Sequence, residues 1–376
     1  MVADLVEHLI HHRSTVQDGR FTAPDRALTD GRRTWDDSGV RPRSARRIPW
    51  LACAGVLIAV LVHAPGIAPS GFTQSARGAT GGQPAAPALG APHGGYAVGT
   101  LTLTLVDRRR TIRLRGGRTE PRTIVTYVRY PARGVPAGAE VAAGPPAPGP
   151  FPLVVFAHGF DVTPATYARL LTSWTRAGYV VAAPLFPLTN PHAPGGPDET
   201  DVVNQPGDVS FVISRLVAAS SVSRPLLGLI DPSHIAVAGH SDGAETALAT
   251  AYSRRKRDAR IRAALIFSGA EMSGIGGYSF APHGPALLAT QGADDTFNAP
   301  RFTDAYFRTA RRPKYLLRLL GAGHLLPYTT EQPQLAIVEY VTRTFLDGYL
   351  KDSASAVAEL AVFGNVKDTA ALVSKP

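Results

Sequence analysis

Apolar and polar positions first alternate regularly at 96–107, "YAVGTLTLTLVD", and again at 123–131, "TIVTYVRYP". A period of two predicts half-buried strands, here outer and antiparallel. The pattern then changes to short unbroken apolar runs. "FPLVVFAHG" (151–159) predicts a strand covered on both faces. "YVVAAPLFP" (179–187), "HIAVAGHS" (234–241), "IRAALIFSGA" (261–270), "PALLATQGADD" (285–295) and "KYLLRLLGAGH" (314–324) predict further strands. Helical patterns lie between and after them. They cover 163–178 (Thr163 as cap, Pro164 in the first turn), 206–220, 242–255, 300–310 and 331–349. Strands alternating with helices predict an α/β fold: a mostly parallel sheet flanked by helices on both faces. Sites in such sheets form just past the C-terminal ends of strands, which sets a test for every candidate residue. This domain spans 96–350, with no repeat and no second domain, and 351–376 reads as a C-terminal tail or short helix.

The N-terminal part has a different pattern. Residues 64–95 are rich in Gly, Pro and Ala, with almost no charge. Such a segment buries too little apolar surface to offset its ordering entropy, and reads as a tether. Before it, four arginines at 41–47 precede the apolar run "WLACAGVLIAVLV" (50–62). That layout predicts a signal peptide or membrane anchor at 48–63, with 1–47 as a basic, disordered extension. The run is shorter than a comfortable bilayer span. Its upstream charge predicts export, either secreted or attached to the outer face of the cytoplasmic membrane. Arg46-Arg47 fits a twin-arginine signal loosely. Cys53 is the sole cysteine, so an intramolecular disulfide is excluded. It opens the apolar run, whereas a lipid-bearing cysteine would follow one, so it reads as a small embedded residue.

Charge adds little. The formal net charge is +10, of which the first 47 residues supply +2 from 9 Arg and 7 Asp or Glu. A cluster at 254–257, "RRKR", is not interleaved with aromatics, so no nucleic-acid partner is predicted. The carboxylates Asp198, Glu199, Asp201 and Asp208 read as a solvated acidic loop rather than a Ca²⁺ site. No metal and no cofactor is predicted. The oligomeric state stays open.

The chemistry gathers at strand ends. Gly239-His240-Ser241-Asp242-Gly243 fits G-x-S-x-G between a predicted strand and helix. A nucleophile held on so tight a turn needs glycine two residues away on either side. Serine needs a base, and the base needs an orienting group. His324 ends "RLLGAGH", directly past the last predicted strand of the domain, and is the base candidate. Asp295 is the preferred acid, with Asp294 as the alternative in the same turn. His240 reads as packing beside the site. The oxyanion hole is assigned to the backbone N–H groups of Phe160 and Asp242, and the Phe160 ring to the substrate wall. This set predicts a serine hydrolase cleaving carboxylic esters through an acyl-enzyme. An acyltransferase, or a peptidase or amidase, would use the same triad. A non-enzymatic surface protein on the same fold is the remaining alternative.

Together, "FAHGF", "GHSDG", "GADD" and "GAGH" resemble serine esterases of the α/β-hydrolase superfamily. The nearest likeness is to the bacterial cutinase, polyester-hydrolase and dienelactone-hydrolase-like group, over 120–348. Chlorophyllase-like enzymes share the layout. The resemblance implies the α/β-hydrolase fold and the chain order Ser241, Asp295, His324. Phe160 matches the aromatic that follows the first-loop glycine in the polyester-hydrolase branch. Asp242 stands where that branch usually has Met, its tryptophan beyond "LIF" is absent, and so are its paired cysteines. The gap between "RAALIF" and "PALLAT" is too short for a large cap domain. The loop 184–205 is the expected wall or partial lid of a fairly open site, suited to bulky or varied acyl esters.

Overall fold

The structure is a computed structural model and describes residues 95–376 apart from Arg115. The expected extension (1–47), signal or anchor segment (48–63), Cys53 and all but the last residue of the tether (64–95) lie outside the described residues. Among the described residues, no helix is long and apolar enough to cross a membrane.

The alternating segments form a long antiparallel pair, β1 (Ala97–Arg113) and β2 (Thr119–Ala132), with a register irregularity between Asp107 and Thr111. The two-residue β3 (Val141–Ala142) pairs with the outer edge of β1. The apolar runs become β4 (Phe151–Ala157), β5 (Val180–Leu185), β6 (Ile230–His240), β7 (Ile261–Phe267), β8 (Ala286–Gly292) and β9 (Lys314–Leu319). Every residue of β4 and β8 is buried, as unbroken apolar runs require. These six strands are mutually parallel, and β2 joins them antiparallel beside β5. The order across the sheet is β10-β9-β8-β7-β6-β4-β5-β2-β1-β3. From β4 the chain steps outward to β5 and returns as β6 on the other side of β4. The order therefore reverses between β4 and β6, and in open α/β sheets sites form at such a switch point.

The helices are α1 (Ala168–Arg176), α2 (Gln205–Val222), α3 (Asp242–Tyr252), α4 (Pro300–Thr309), α5 (Gln334–Leu350) and α6 (Ala354–Phe363). Successive strand residues serve opposite faces. Leu153, Val155 and Ala157 of β4 share a core with Val209 and Val212 of α2, Ala244 of α3 and Tyr306 of α4. Phe156, between them in sequence, meets Trp174 of α1 on the other face, with ring centroids 6.1 Å apart. The Trp174 indole N–H donates to Thr342 Oγ1 of α5 at 2.8 Å, which ties the two helices of that face together.

Three expectations change. Thr163 makes no side-chain cap; it precedes a short 3-10 turn (Pro164–Tyr167) that leads into α1. Of the tail or short helix expected at 351–376, the structure has the helix, α6, and adds β10 (Ala370–Lys375), which pairs antiparallel with β9 and extends the folded unit beyond 350. The acidic group at 198–208 is not a solvated loop. Asp201 and Asp208 are buried against the buried Arg122, whose guanidinium reaches Asp201 at 2.6 and 2.9 Å and Asp208 at 2.6 Å. Arg110 adds a second cation, 2.8 Å from Asp208. Asp198 keeps a local role, accepting the Thr200 N–H at 3.0 Å.

Candidate active site

Four predicted residues lie past four parallel strands, all at one edge of the sheet: Phe160 after β4, Ser241 after β6, Asp295 after β8 and His324 after β9. Ser241 has φ 57° and ψ −122°, a left-handed backbone that a non-glycine residue adopts only under constraint. The constraint is crowding. A Cβ on Gly239 would lie 2.0 Å from the Gly243 carbonyl oxygen, and one on Gly243 would lie 2.0 Å from that of Ala157. Strand, turn and helix meet too closely at both positions for any side chain. The Ser241 N–H donates to the Phe267 carbonyl at 3.1 Å, while its own carbonyl accepts from Ala244 at 2.8 Å and Glu245 at 3.0 Å as α3 begins.

Asp295, rather than the exposed Asp294, meets the imidazole. Its Oδ2 accepts from His324 Nδ1 at 2.8 Å and from Gln291 Nε2 at 3.2 Å. Its Oδ1 accepts the N–H groups of Phe297 and Asn298, both at 2.9 Å. Four donors fill the lone pairs of one carboxylate and fix its orientation. Burial pushes the Asp295 carboxyl up, but the His324 and Asn298 hydrogen bonds outweigh it and hold the group below the usual carboxylate range. The carboxylate on Nδ1 fixes the ring orientation of His324 and leaves Nε2 as the nitrogen that Asp295 does not engage. The Phe297 ring lies 5.1 Å from the imidazole and is half-buried, so it forms an apolar wall beside it.

The loop after β4 closes on the turn. A Cβ built on Gly159 would lie 3.3 Å from Ser241 Cβ, so the backbone that leads into the half-exposed Phe160 passes against the serine. The fourth ring of the site belongs to His240, whose centroid is 4.6 Å from that of His324. His158, at the end of β4, is wholly buried. It donates from Nδ1 to the Gly159 carbonyl at 2.7 Å and accepts the Phe186 N–H at Nε2 at 3.1 Å. Burial pulls its pKa down to about 4.

The expected lid segment is a packed wall. Phe186, Leu188, Thr189 and Asn190 are buried, the Thr189 carbonyl accepts the Asp161 N–H at 2.8 Å, and Asn190 Nδ2 donates to the Phe186 carbonyl at 2.6 Å. A cleft of about 370 Å³ adjoins the same loop and includes Thr102, Tyr127, Arg129, Thr163, Pro164 and His192. Gln291, Asn298 and Tyr167 carry parts of the site that pattern reasoning did not find; none stands in a motif. Among the described residues, no group of three or more His, Cys, Asp or Glu is placed to hold a metal ion.

The family model for chlorophyllase matches residues 120–270. Among solved structures, a ferulic acid esterase from Streptomyces cinnamoneus superposes with a TM-score of 0.52 over 70% of this chain and 93% of that one. The chain has the α/β-hydrolase fold. Sequence identity to the esterase is 23%. No curated protein matches the sequence significantly. This hydrolase fold thus carries the resemblance to serine esterases, while the likeness to the polyester-hydrolase branch rests on sequence motifs alone.

Proposed function

We propose that the protein is a serine carboxylic-ester hydrolase with Ser241, His324 and Asp295 as its catalytic triad. The observation that carries the reading is the part-buried 2.8 Å Asp295–His324 hydrogen bond, at the sheet edge that holds the strained Ser241 turn. His324 Nε2 takes the Ser241 proton as Oγ attacks the ester carbonyl. The backbone N–H groups of Phe160 and Asp242 hold the developing oxyanion. The alcohol leaves with the proton returned by His324, and water then repeats the sequence on the acyl-enzyme. Asp295 stays ionised throughout, fixing the ring tautomer and stabilising the imidazolium.

The substrates are esters with bulky parts. The segment between β7 and β8 lies on the far end of α3, through the Arg254 N–H to Gly277 and Ser279 N–H to Tyr252 bonds, and does not rise as a cap. The Phe160 and Phe297 rings suit an apolar or aromatic acyl group. The matched chlorophyllase family and the ferulic acid esterase are named for esters of this bulky kind.

The test is turnover of a p-nitrophenyl ester series. Ser241→Ala should lower kcat/KM about 10³-fold or more with the circular dichroism spectrum unchanged. Turnover in that variant at the wild-type rate would remove the assignment. Product analysis with an added alcohol separates hydrolysis from acyl transfer.

A further inference from the structure

We propose that His240 is a positioning residue that locks the loop carrying His324 to the loop after β4; this rests on the esterase reading above. His240 Nε2 lies 2.8 Å from the His324 carbonyl oxygen. A carbonyl only accepts, so Nε2 carries a proton. His240 Nδ1 lies 2.8 Å from the Tyr167 hydroxyl, which donates to it when the ring is neutral. The same hydroxyl oxygen faces the Gly159 N–H at 3.4 Å. The result is one directed chain: Gly159 N–H to Tyr167, Tyr167 to His240, and His240 to the His324 backbone.

The chain spans three of the four strand ends that carry the site, those of β4, β6 and β9. Gly159 precedes Phe160, the proposed oxyanion donor. His240 precedes Ser241. The bonded carbonyl belongs to the proposed base itself. Tyr167 and His240 are both buried, so each polar atom left without a partner would cost free energy. An apolar ring at 240 would preserve the tilted ring contacts with His324 (centroids 4.6 Å apart) and Tyr328 (5.1 Å) but would take this partner from the Tyr167 hydroxyl and the His324 carbonyl. What the imidazole adds over such a ring is direction: it holds the base loop at one height relative to the nucleophile. Asp295 orients the His324 side chain, and His240 fixes its backbone. Misplacing reacting groups by about 1 Å costs about 100-fold in rate.

The test uses the full chain and p-nitrophenyl acetate, with kcat and KM measured separately and thermal melting run alongside. His240→Phe keeps the ring contact and loses both bonds. His240→Asn reaches Tyr167 but not the carbonyl. His240→Gln places an amide N–H near the Nε2 position. The expected result is a kcat loss of about 10- to 100-fold in the Phe and Asn variants, with KM within about twofold, and recovery of most of kcat in the Gln variant. Tyr167→Phe removes one oxygen. It should lower kcat by itself but add nothing in the His240→Phe background. Unchanged kcat in His240→Phe, or a Gln variant as slow as the Phe variant at equal melting temperature, would overturn the proposal. If the His240 variants do not fold, Tyr167→Phe decides: a lowered kcat supports the chain and an unchanged kcat refutes it. A wild-type protein with no ester turnover would instead overturn the esterase reading beneath it.

Discussion

Ser241 and its two glycines show how far single residues can be read. The G-x-S-x-G spacing implies that two side chains are forbidden, and the 2.0 Å approaches at Gly239 and Gly243 are the physical reason. Asp295 was legible only in part, because a turn with two adjacent aspartates leaves the choice to local hydrogen bonding. The N–H groups of Phe297 and Asn298 make that choice by holding Asp295 inward. The buried setting of His158 was not legible, since its contacts include Phe186, 28 residues away, which donates its N–H to Nε2. Its depressed pKa has a consequence for stability. Folded His158 stays neutral down to about pH 4, whereas in the unfolded chain it takes a proton below its ordinary value of 6.5. Between those values the unfolded state binds more protons, so stability falls as pH falls, by an amount on the order of 3 kcal/mol. Asp295, held low in the fold, acts in the same direction, its contribution being lost as pH falls through its folded value. Urea unfolding at pH 7 and pH 4.5 should show a shallower loss in His158→Gln than in wild type. Equal losses would contradict the burial account.

At the scale of elements, periodicity placed β1, β2, β4–β9 and α1–α5 close to their observed positions, because each has one apolar face or is wholly apolar. What it missed are contacts between distant segments. Arg122 stands just before the strand expected at 123–131 and lies in β2, yet its partners lie 79 and 86 residues away. Burial pushes the Asp208 carboxyl up, against the pull of Arg122 and Arg110. That balance is lost when the guanidinium is removed. Arg122→Ala leaves Asp208 and Asp201 buried with much of their compensation gone, and should destabilise the protein by about 3–5 kcal/mol in urea unfolding. A loss under about 1 kcal/mol would show that the pair is hydrated in solution. β10 escaped for another reason. Its alternation covers only six residues, too few to tell a strand from a tail, and its register is set by the open edge of β9.

The whole molecule turns these local features into one site. Six parallel strands point their C-terminal ends the same way, and the adjacent strands β4 and β6 bring the loops that follow them, with Phe160 and Ser241, together. Asp295 and His324 arrive from β8 and β9, on the same side of β6. The sequence showed that each candidate residue follows a predicted strand, but not the order of those strands across the sheet, because β4 and β6 are neighbours although β5 lies between them in the chain. The closure of the sheet by β3 and β10 was not legible either, and the export signal expected at 48–63 lies outside the described residues. The account stands on one claim, that Ser241 forms a covalent acyl intermediate. The most direct measurement is intact-protein and peptide mass spectrometry of the full chain quenched during turnover of a p-nitrophenyl ester with a slowly hydrolysed acyl group. The account predicts one acyl adduct, on the peptide containing Ser241, absent in Ser241→Ala. An adduct on another residue, or turnover by Ser241→Ala at the wild-type rate, would contradict it.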